Sequence, residues 1–158
     1  MRRILTLAAL LALTGCDRAI TEPHGPLTGT WRYQATGFQQ WGSKDTCSMD
    51  VVIKIRQVGN SIEGRQTADA PVICAGPDGR VTREHVAWNG VIGGEVQDGR
   101  VHLSNAGSWH SFGAVEADRV EGYLESYGAF DNGPIQAQRS GSFVMERISD
   151  EGYHGPEA

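Results

Sequence analysis

Hydrophobic and polar residues alternate along most of the chain after the first 28 positions, which is the two-residue period of strands with one buried face. The period is clearest where Val86, Trp88, Ile92 and Val96 fall on the same face. Frequent glycines interrupt every candidate helix. The pattern predicts eight strands, at about 29–36, 47–58, 61–70, 85–97, 100–106, 109–117, 119–127 and 141–148.

The connections between these strands are of two kinds. Gly59-Asn60 and Asp98-Gly99 are typical two-residue hairpin turns, and Ala117-Asp118 is a third short connection without glycine. Longer connections fall at 37–46, 71–84 and 128–140. In an up-and-down meander the short turns share one end and the long loops the other. The sequence therefore predicts an all-β, eight-stranded antiparallel up-and-down barrel with a closed floor and an open mouth. Two packed sheets made from the same strands remain an alternative.

The turns also predict the register of neighbouring strands. A turn at Gly59-Asn60 places Cys47 opposite residue 72, two positions from Cys74. The two cysteines form an even pair in an exported chain, which favours a disulfide at the mouth over two unrelated buried thiols. A turn at Asp98-Gly99 pairs Leu103 with Gly94 and directs His102 to solvent.

The first 16 residues carry a second kind of signal. Arg2 and Arg3 precede a ten-residue apolar run, Ile4 to Leu13, broken only by Thr6. A bilayer span needs about 20 apolar residues, so this run has the length of a signal-peptide helix. Leu13-Thr14-Gly15-Cys16 resembles the lipobox of bacterial lipoproteins. The resemblance implies that residues 1–15 are removed and that Cys16 is lipidated and becomes the new N-terminus.

Four regions follow from these patterns: a signal peptide at 1–15, a flexible tether at 16–28, a barrel domain at 29–149 and a loose tail at 150–158. Lipidation implies the bacterial cell envelope, on the periplasmic face of the inner or outer membrane. Asp17 directly follows the lipidated cysteine, which in enteric bacteria resembles an inner-membrane retention signal.

Charge narrows the choice of partners. The chain has 14 basic and 19 acidic residues, and loss of Arg2 and Arg3 leaves a mature net charge of −7. An acidic domain without a basic cluster is repelled by phosphate backbones, so nucleic acid is not an expected partner. The membrane, reached through Cys16, is the expected one.

Two ends of the barrel domain resemble a known superfamily. Gly29-Thr30-Trp31 opens the first strand, and Arg147 lies in the last. This layout resembles the calycins, which include the lipocalins and avidins. The resemblance implies that Arg147 packs across Trp31 and closes the barrel floor.

Motifs for catalysis do not occur in the chain. It has no Gly-x-Ser-x-Gly, His-Glu-x-x-His, phosphate-binding glycine loop or Cys-x-x-Cys. We therefore predict no catalytic residues, no metal and no cofactor, and interpret His102 and His110 as surface residues. A hydrolase or other enzyme is the third-ranked function.

Two functions of different classes remain open. The first is non-catalytic binding of a small apolar or amphipathic ligand in the barrel. Its candidate residues are mainly aromatic: Tyr33, Phe38, Trp41, Trp88, Asn105, Trp109 and Tyr127. The second is an accessory or scaffold subunit of a membrane protein complex that uses the barrel as a docking surface. A barrel filled by its own side chains favours the second.

Overall fold

A computed structural model of the chain describes residues 25–68, 70–86, 92–104, 109–129 and 133–155. Ten antiparallel strands occupy this part of the chain: β1 (Gly29–Phe38), β2 (Thr46–Val58), β3 (Ser61–Gln66), β4 (Ala70–Ala75), β5 (Val81–Val86), β6 (Ile92–Gln97), β7 (Arg100–Ser104), β8 (Trp109–Glu116), β9 (Arg119–Gly128) and β10 (Gln136–Ser149).

Eight of these strands close on themselves. The hydrogen-bonded order is β1-β10-β9-β8-β7-β6-β3-β2, and an additional β1–β2 pairing joins the two ends. The predicted closed antiparallel eight-stranded barrel is therefore confirmed, and the alternative of two packed sheets is not what forms. In the described ranges, no helix is long and apolar enough to cross a membrane. The predicted signal-peptide helix and Cys16 lie outside the described residues.

The registers deduced from the hairpin turns are also confirmed. Ile53 pairs with Gln66 across the β2–β3 turn, and Gly94 pairs with Leu103 across the β6–β7 turn. Asp98 and Gly99 have φ angles of 51° and 72°, the left-handed pair that a twisted two-residue hairpin requires.

The β4–β5 hairpin was not predicted. Sequence analysis places a strand at 61–70 and a loop at 71–84, whereas β3 ends at Gln66 and a new hairpin occupies 70–86. Pro71 argues against a strand because it cannot donate to a ladder. It is tolerated because β4 pairs with β2 only through residues 73–75, beyond the proline. The predicted strand at 85–97 spans the end of β5 and all of β6, and residues 87–91 between them lie outside the described residues.

The predicted disulfide joins Cys47 to Cys74. These residues are direct partners in the β2–β4 ladder, so the bridge attaches the extra hairpin to the barrel at its mouth. Extrapolation from the turn placed residue 72 opposite Cys47. The offset of two arises because the chain breaks between β3 and β4, where the Thr67 amide donates to the Val52 carbonyl.

The floor is closed by the contact that the calycin resemblance implied. The Arg147 guanidinium carbon lies 4.4 Å from the centre of the Trp31 ring. Arg147 donates to the carbonyls of Thr28 and Pro26. The Trp31 indole N–H donates to the Leu27 carbonyl at 2.9 Å.

Two segments outside the predicted barrel domain also pack at the floor. Leu27, assigned to the tether, is buried, and the Gln57 side chain accepts its amide hydrogen at 3.0 Å. Tyr153, assigned to the loose tail, is buried, and its amide donates to the Ile55 carbonyl. Neither segment is long enough to show a period, so alternation does not detect them. The ordered domain therefore extends beyond 29–149 at both ends.

Candidate functional site

The mouth end of the lumen is shaped by paired irregularities in β1 and β10. The register between β1 and β2 shifts between Thr36 and Phe38, where Gly37 adopts a φ of 70°. In β10, Gly141 also has a φ of 70°, and a Cβ there would lie 2.5 Å from the Phe38 amide nitrogen. The bulge returns Phe38 to the inner face, where its side chain is fully buried.

Phe38 packs against Trp109, the first residue of β8. The two rings meet edge to face with centroids 5.1 Å apart. Trp109 is the register partner of Ser126 in β9, and both side chains are buried, with exposures of 8% and 1%. We call Phe38, Trp109 and Ser126 the mouth site.

Among the residues that the structure describes, two polar atoms of the mouth site have no hydrogen-bond partner. They are the indole Nε1 of Trp109 and the hydroxyl Oγ of Ser126. The large majority of buried side-chain polar atoms in folded proteins have a hydrogen-bond partner, so two unpaired atoms on cross-strand neighbours are unusual. Both can donate a hydrogen, and Ser126 can also accept one. The pair therefore suits a hydrogen-bond acceptor arriving from outside the chain.

The next polar layer towards the floor is already paired. Tyr33 in β1 and Ser111 in β8 share a hydrogen bond of 2.8 Å between their hydroxyls. Burial raises the pKa of Tyr33 well above its ordinary value, with a smaller opposing effect from Ser111. Tyr33 also stacks on Phe143 at a centroid distance of 5.2 Å. The lumen is thus apolar and internally bonded below the mouth site.

A loop residue packs at the mouth end of β9. Trp41 lies in the β1–β2 connection, and its ring packs where a side chain at Gly128 would stand. Gly128 follows Ser126 on the inner face of β9, so Trp41 lies at the rim of the barrel, next to the mouth site.

The structure brings four of the predicted ligand-binding residues to the inner face or the rim of the barrel: Tyr33, Phe38, Trp41 and Trp109. Tyr127 is a correction, because it lies on the outer face beside His110 rather than in the lumen. The alternation that buries Leu124 predicts this outer-face position for Tyr127, three residues further along β9. Trp88 and Asn105 lie outside the described residues.

Sequence analysis missed Ser111 and Ser126. A serine on an inner face looks like an interruption of the apolar pattern. The available signal was the two-residue alternation of a strand. Ser111 follows Trp109 by two positions and Ser126 follows Leu124 by two, so each serine shares the inner face with its neighbour.

The outer face of β7–β9 carries a second group of rings. We call it the outer cluster; its members are His102, His110, Phe112, Tyr123 and Tyr127. His102 stacks on Phe112 at 4.5 Å and Phe112 on Tyr123 at 5.5 Å, between centroids. Part of this cluster lines an open groove of about 770 Å³, whose charged residues are Glu95, Asp98, Arg100 and Glu121.

The two histidines of the outer cluster contact each other, at 2.7 Å between His102 Nε2 and His110 Nδ1. Partial burial, and secondarily the neighbouring His102, lower the pKa of His110, while Glu125 acts in the opposite direction. The Tyr127 hydroxyl donates to Glu125 at 2.6 Å, a bond that raises the pKa of Tyr127 to about 12. Within the described ranges, no three histidine, cysteine, aspartate or glutamate side chains gather as a metal site.

Comparison of the chain with protein-family models, with curated proteins and with solved structures gives no match.

Proposed function

We propose that this protein is a membrane-anchored envelope lipoprotein that binds a small apolar or amphipathic molecule without transforming it. The binding place is the mouth end of the barrel lumen. The observation that carries the proposal is the pair of buried, unpartnered polar atoms, Trp109 Nε1 and Ser126 Oγ.

Burying these two polar atoms without partners costs free energy. A buried donor without a partner costs about 1–3 kcal/mol. A ligand that offers an acceptor removes that cost while its apolar part gains from burial against Phe38 and Leu124, both fully buried inner-face residues. A mostly apolar wall with a few convergent polar atoms is typical of small-molecule sites.

The placement of the chain ends supports a ligand that enters from the side opposite the membrane. The amide of Gly25 donates to the Gln57 carbonyl near the floor end of β2, so Gly25, the first described residue, lies at the floor. If Cys16 is lipidated, the mouth faces away from the bilayer.

Replacement of Cys16 by alanine should abolish labelling by radioactive fatty acid and release the protein from the membrane fraction. Persistent acylation or membrane retention would count against the anchor.

Ligand binding can be tested with matched substitutions on adjacent residues. A brominated hydrocarbon should quench the tryptophan fluorescence of the full chain, because Trp109 borders the proposed site. Ser126→Phe fills the inner face at the mouth and should abolish quenching. Glu125→Phe places the same ring on the outer face, one residue away, and should leave quenching unchanged. Equal quenching in both variants would exclude the lumen as the binding place.

A second candidate function has its own observation, the outer cluster beside the acidic groove. We propose as its occupant a lysine- or arginine-bearing loop of a membrane protein partner, since three of the four charged groove residues are acidic. A photo-crosslinker at Phe112 should then capture a discrete partner in intact membranes. Capture should fail with the crosslinker at Arg32, on the far side of the barrel, and weaken with Glu121→Lys. Equal capture at both positions would contradict docking.

A further inference from the structure

The mouth site also carries information about the class of ligand, and this inference rests on the proposed function. We infer that the ligand is an uncharged, largely apolar molecule with one hydrogen-bond acceptor, such as the carbonyl of an ester, lactone or ketone, bound by Trp109 Nε1 and Ser126 Oγ.

Hydrogen-bond polarity is the first step. An indole N–H donates only, so whatever reaches Trp109 must accept. Ser126 can turn its hydroxyl towards the same acceptor, since it lies directly across the β8–β9 ladder from Trp109. A carbonyl oxygen has two lone pairs and can accept from both groups at once. A ligand that presents only donors, such as an alkylammonium, would leave the Trp109 donor unpaired.

Charge is the second step. Among the described residues, the buried polar side chains are Thr30, Gln57, Ser111 and Ser126, all of them neutral. A carboxylate at the mouth site would therefore lose its hydration without meeting a cation, which is far more costly than burying a neutral carbonyl. The raised pKa of Tyr33, caused by burial, reflects the same resistance of this lumen to a negative charge.

Shape is the third step. Phe38 and Trp109 meet edge to face, and the layer below is filled by Tyr33 stacked on Phe143. The acceptor therefore lies at the inner end of the ligand, with the apolar part directed along Phe38 towards Trp41 at the rim. This orientation suits a compact acyl ester or lactone better than a long chain that must pass the Tyr33 layer.

The test compares methyl octanoate, octanoate and octylamine on the isotopically labelled full chain in detergent micelles. Free concentrations are corrected by partition into protein-free micelles. The ester should shift the indole N–H resonance of Trp109 downfield and bind at least about tenfold more tightly than octanoate at neutral pH. Octylamine should leave that resonance unchanged.

Two substitutions probe the donors separately. Trp109→Phe keeps an aromatic ring, although a smaller one, and removes the N–H, and Ser126→Ala removes only the hydroxyl. Each should weaken ester binding about five- to tenfold, the effect of one hydrogen bond. Ser104→Ala, on the outer face of β7, should have no effect. Ser126→Ala is a small change, so it keeps the test valid if Trp109→Phe perturbs folding.

The outcomes separate the inference from the function on which it rests. Equal binding of ester and acid, unaffected by either substitution, would overturn the ligand class and leave lumen binding intact. Ester binding without a shift of the Trp109 indole would overturn the assigned contact and indicate that a water satisfies the two donors. If none of the three compounds binds, both the inference and the proposed function fail.

Discussion

Arg147 packs across Trp31 at the floor of the barrel, and its replacement by methionine should destabilise the fold strongly. Its side chain is only 14% exposed, although Asp118, which pairs with it, is 77% exposed. An ion pair with so exposed a partner contributes at most about 1 kcal/mol. The main stabilisation must therefore come from the contacts with Trp31 and with the carbonyls of the N-terminal segment.

Those contacts determine how much unfolding free energy Arg147→Met should lose. A partly desolvated cation–π contact, here 4.4 Å from guanidinium carbon to ring centre, contributes about 1–2 kcal/mol. A charged donor to a carbonyl adds about 1.5–3 kcal/mol, and the 2.6 Å bond to Thr28 is such a bond. Methionine keeps some apolar contact with Trp31, so Arg147→Met should lower the free energy of unfolding by roughly 2–4 kcal/mol.

The assay is urea unfolding of the purified full chain in mild detergent, followed by tryptophan fluorescence. Arg139→Met is the matched control. Arg139 lies 3.5 Å from the centre of the Tyr123 ring, but it is exposed on the outer face, so its loss should cost less than about 1 kcal/mol. Arg147→Lys should fall between the two, because one ammonium cannot reproduce the planar fork. Equal costs for Arg147→Met and Arg139→Met would refute the view that the floor depends on Arg147.

Three further predictions concern the same fold. Replacing Cys47 and Cys74 together by alanine should cost about 3.5 kcal/mol through the lost loop constraint; the variant should unfold at lower urea than the oxidised protein, and an unchanged midpoint would contradict this. Gly122→Ala should destabilise the barrel by about 1–3 kcal/mol, because its Cβ would lie 2.6 Å from Gly113 Cα; Gly93→Ala, where nothing lies within 4 Å, should be nearly neutral in the same melt. Burial raises the pKa of Tyr33, so the stability linked to that phenol is fully present below its unfolded pKa of about 10 and is lost as the pH rises above it. Absorbance of tyrosinate during alkaline titration should show that the Tyr33 phenol ionises only on unfolding, whereas Tyr127, whose pKa is raised to about 12, contributes its own late ionisation. Tyr33→Phe should remove one phenol from the component that is linked to unfolding.

The outer cluster shows how much of a surface site local sequence patterns predict. Alternation places His102 on the outer face of β7, and the structure confirms it. The contact between His102 and His110 needs the β7–β8 register, which the sequence does not specify because the connection at 105–108 is longer than a two-residue hairpin turn. Tyr127 was assigned to the mouth from its proximity to a loop, although its parity with Tyr123 indicated the outer face.

The mouth site shows what local sequence patterns do not predict. Trp109 was identified as a candidate from its residue type alone. Ser126 became part of the site only because β8 and β9 pair it with Trp109, and the two are buried only because the barrel closes. Whether a buried hydroxyl has a partner is a property of the packed lumen and cannot be deduced from alternation.

By itself, the sequence left a closed barrel and two packed sheets as alternatives. It determined the strand period, the all-β class, the hairpin registers at Gly59-Asn60 and Asp98-Gly99 and the proximity of Cys47 to Cys74. These features depend on neighbours in the chain, where side-chain parity and turn geometry act over a few residues. Only the tertiary structure decided the β4–β5 hairpin, the packing of Leu27 and Tyr153 into the floor, and the two unpaired donors at the mouth. Those features depend on which distant surfaces meet when the barrel closes, and burial and hydrogen bonding are defined only after that closure.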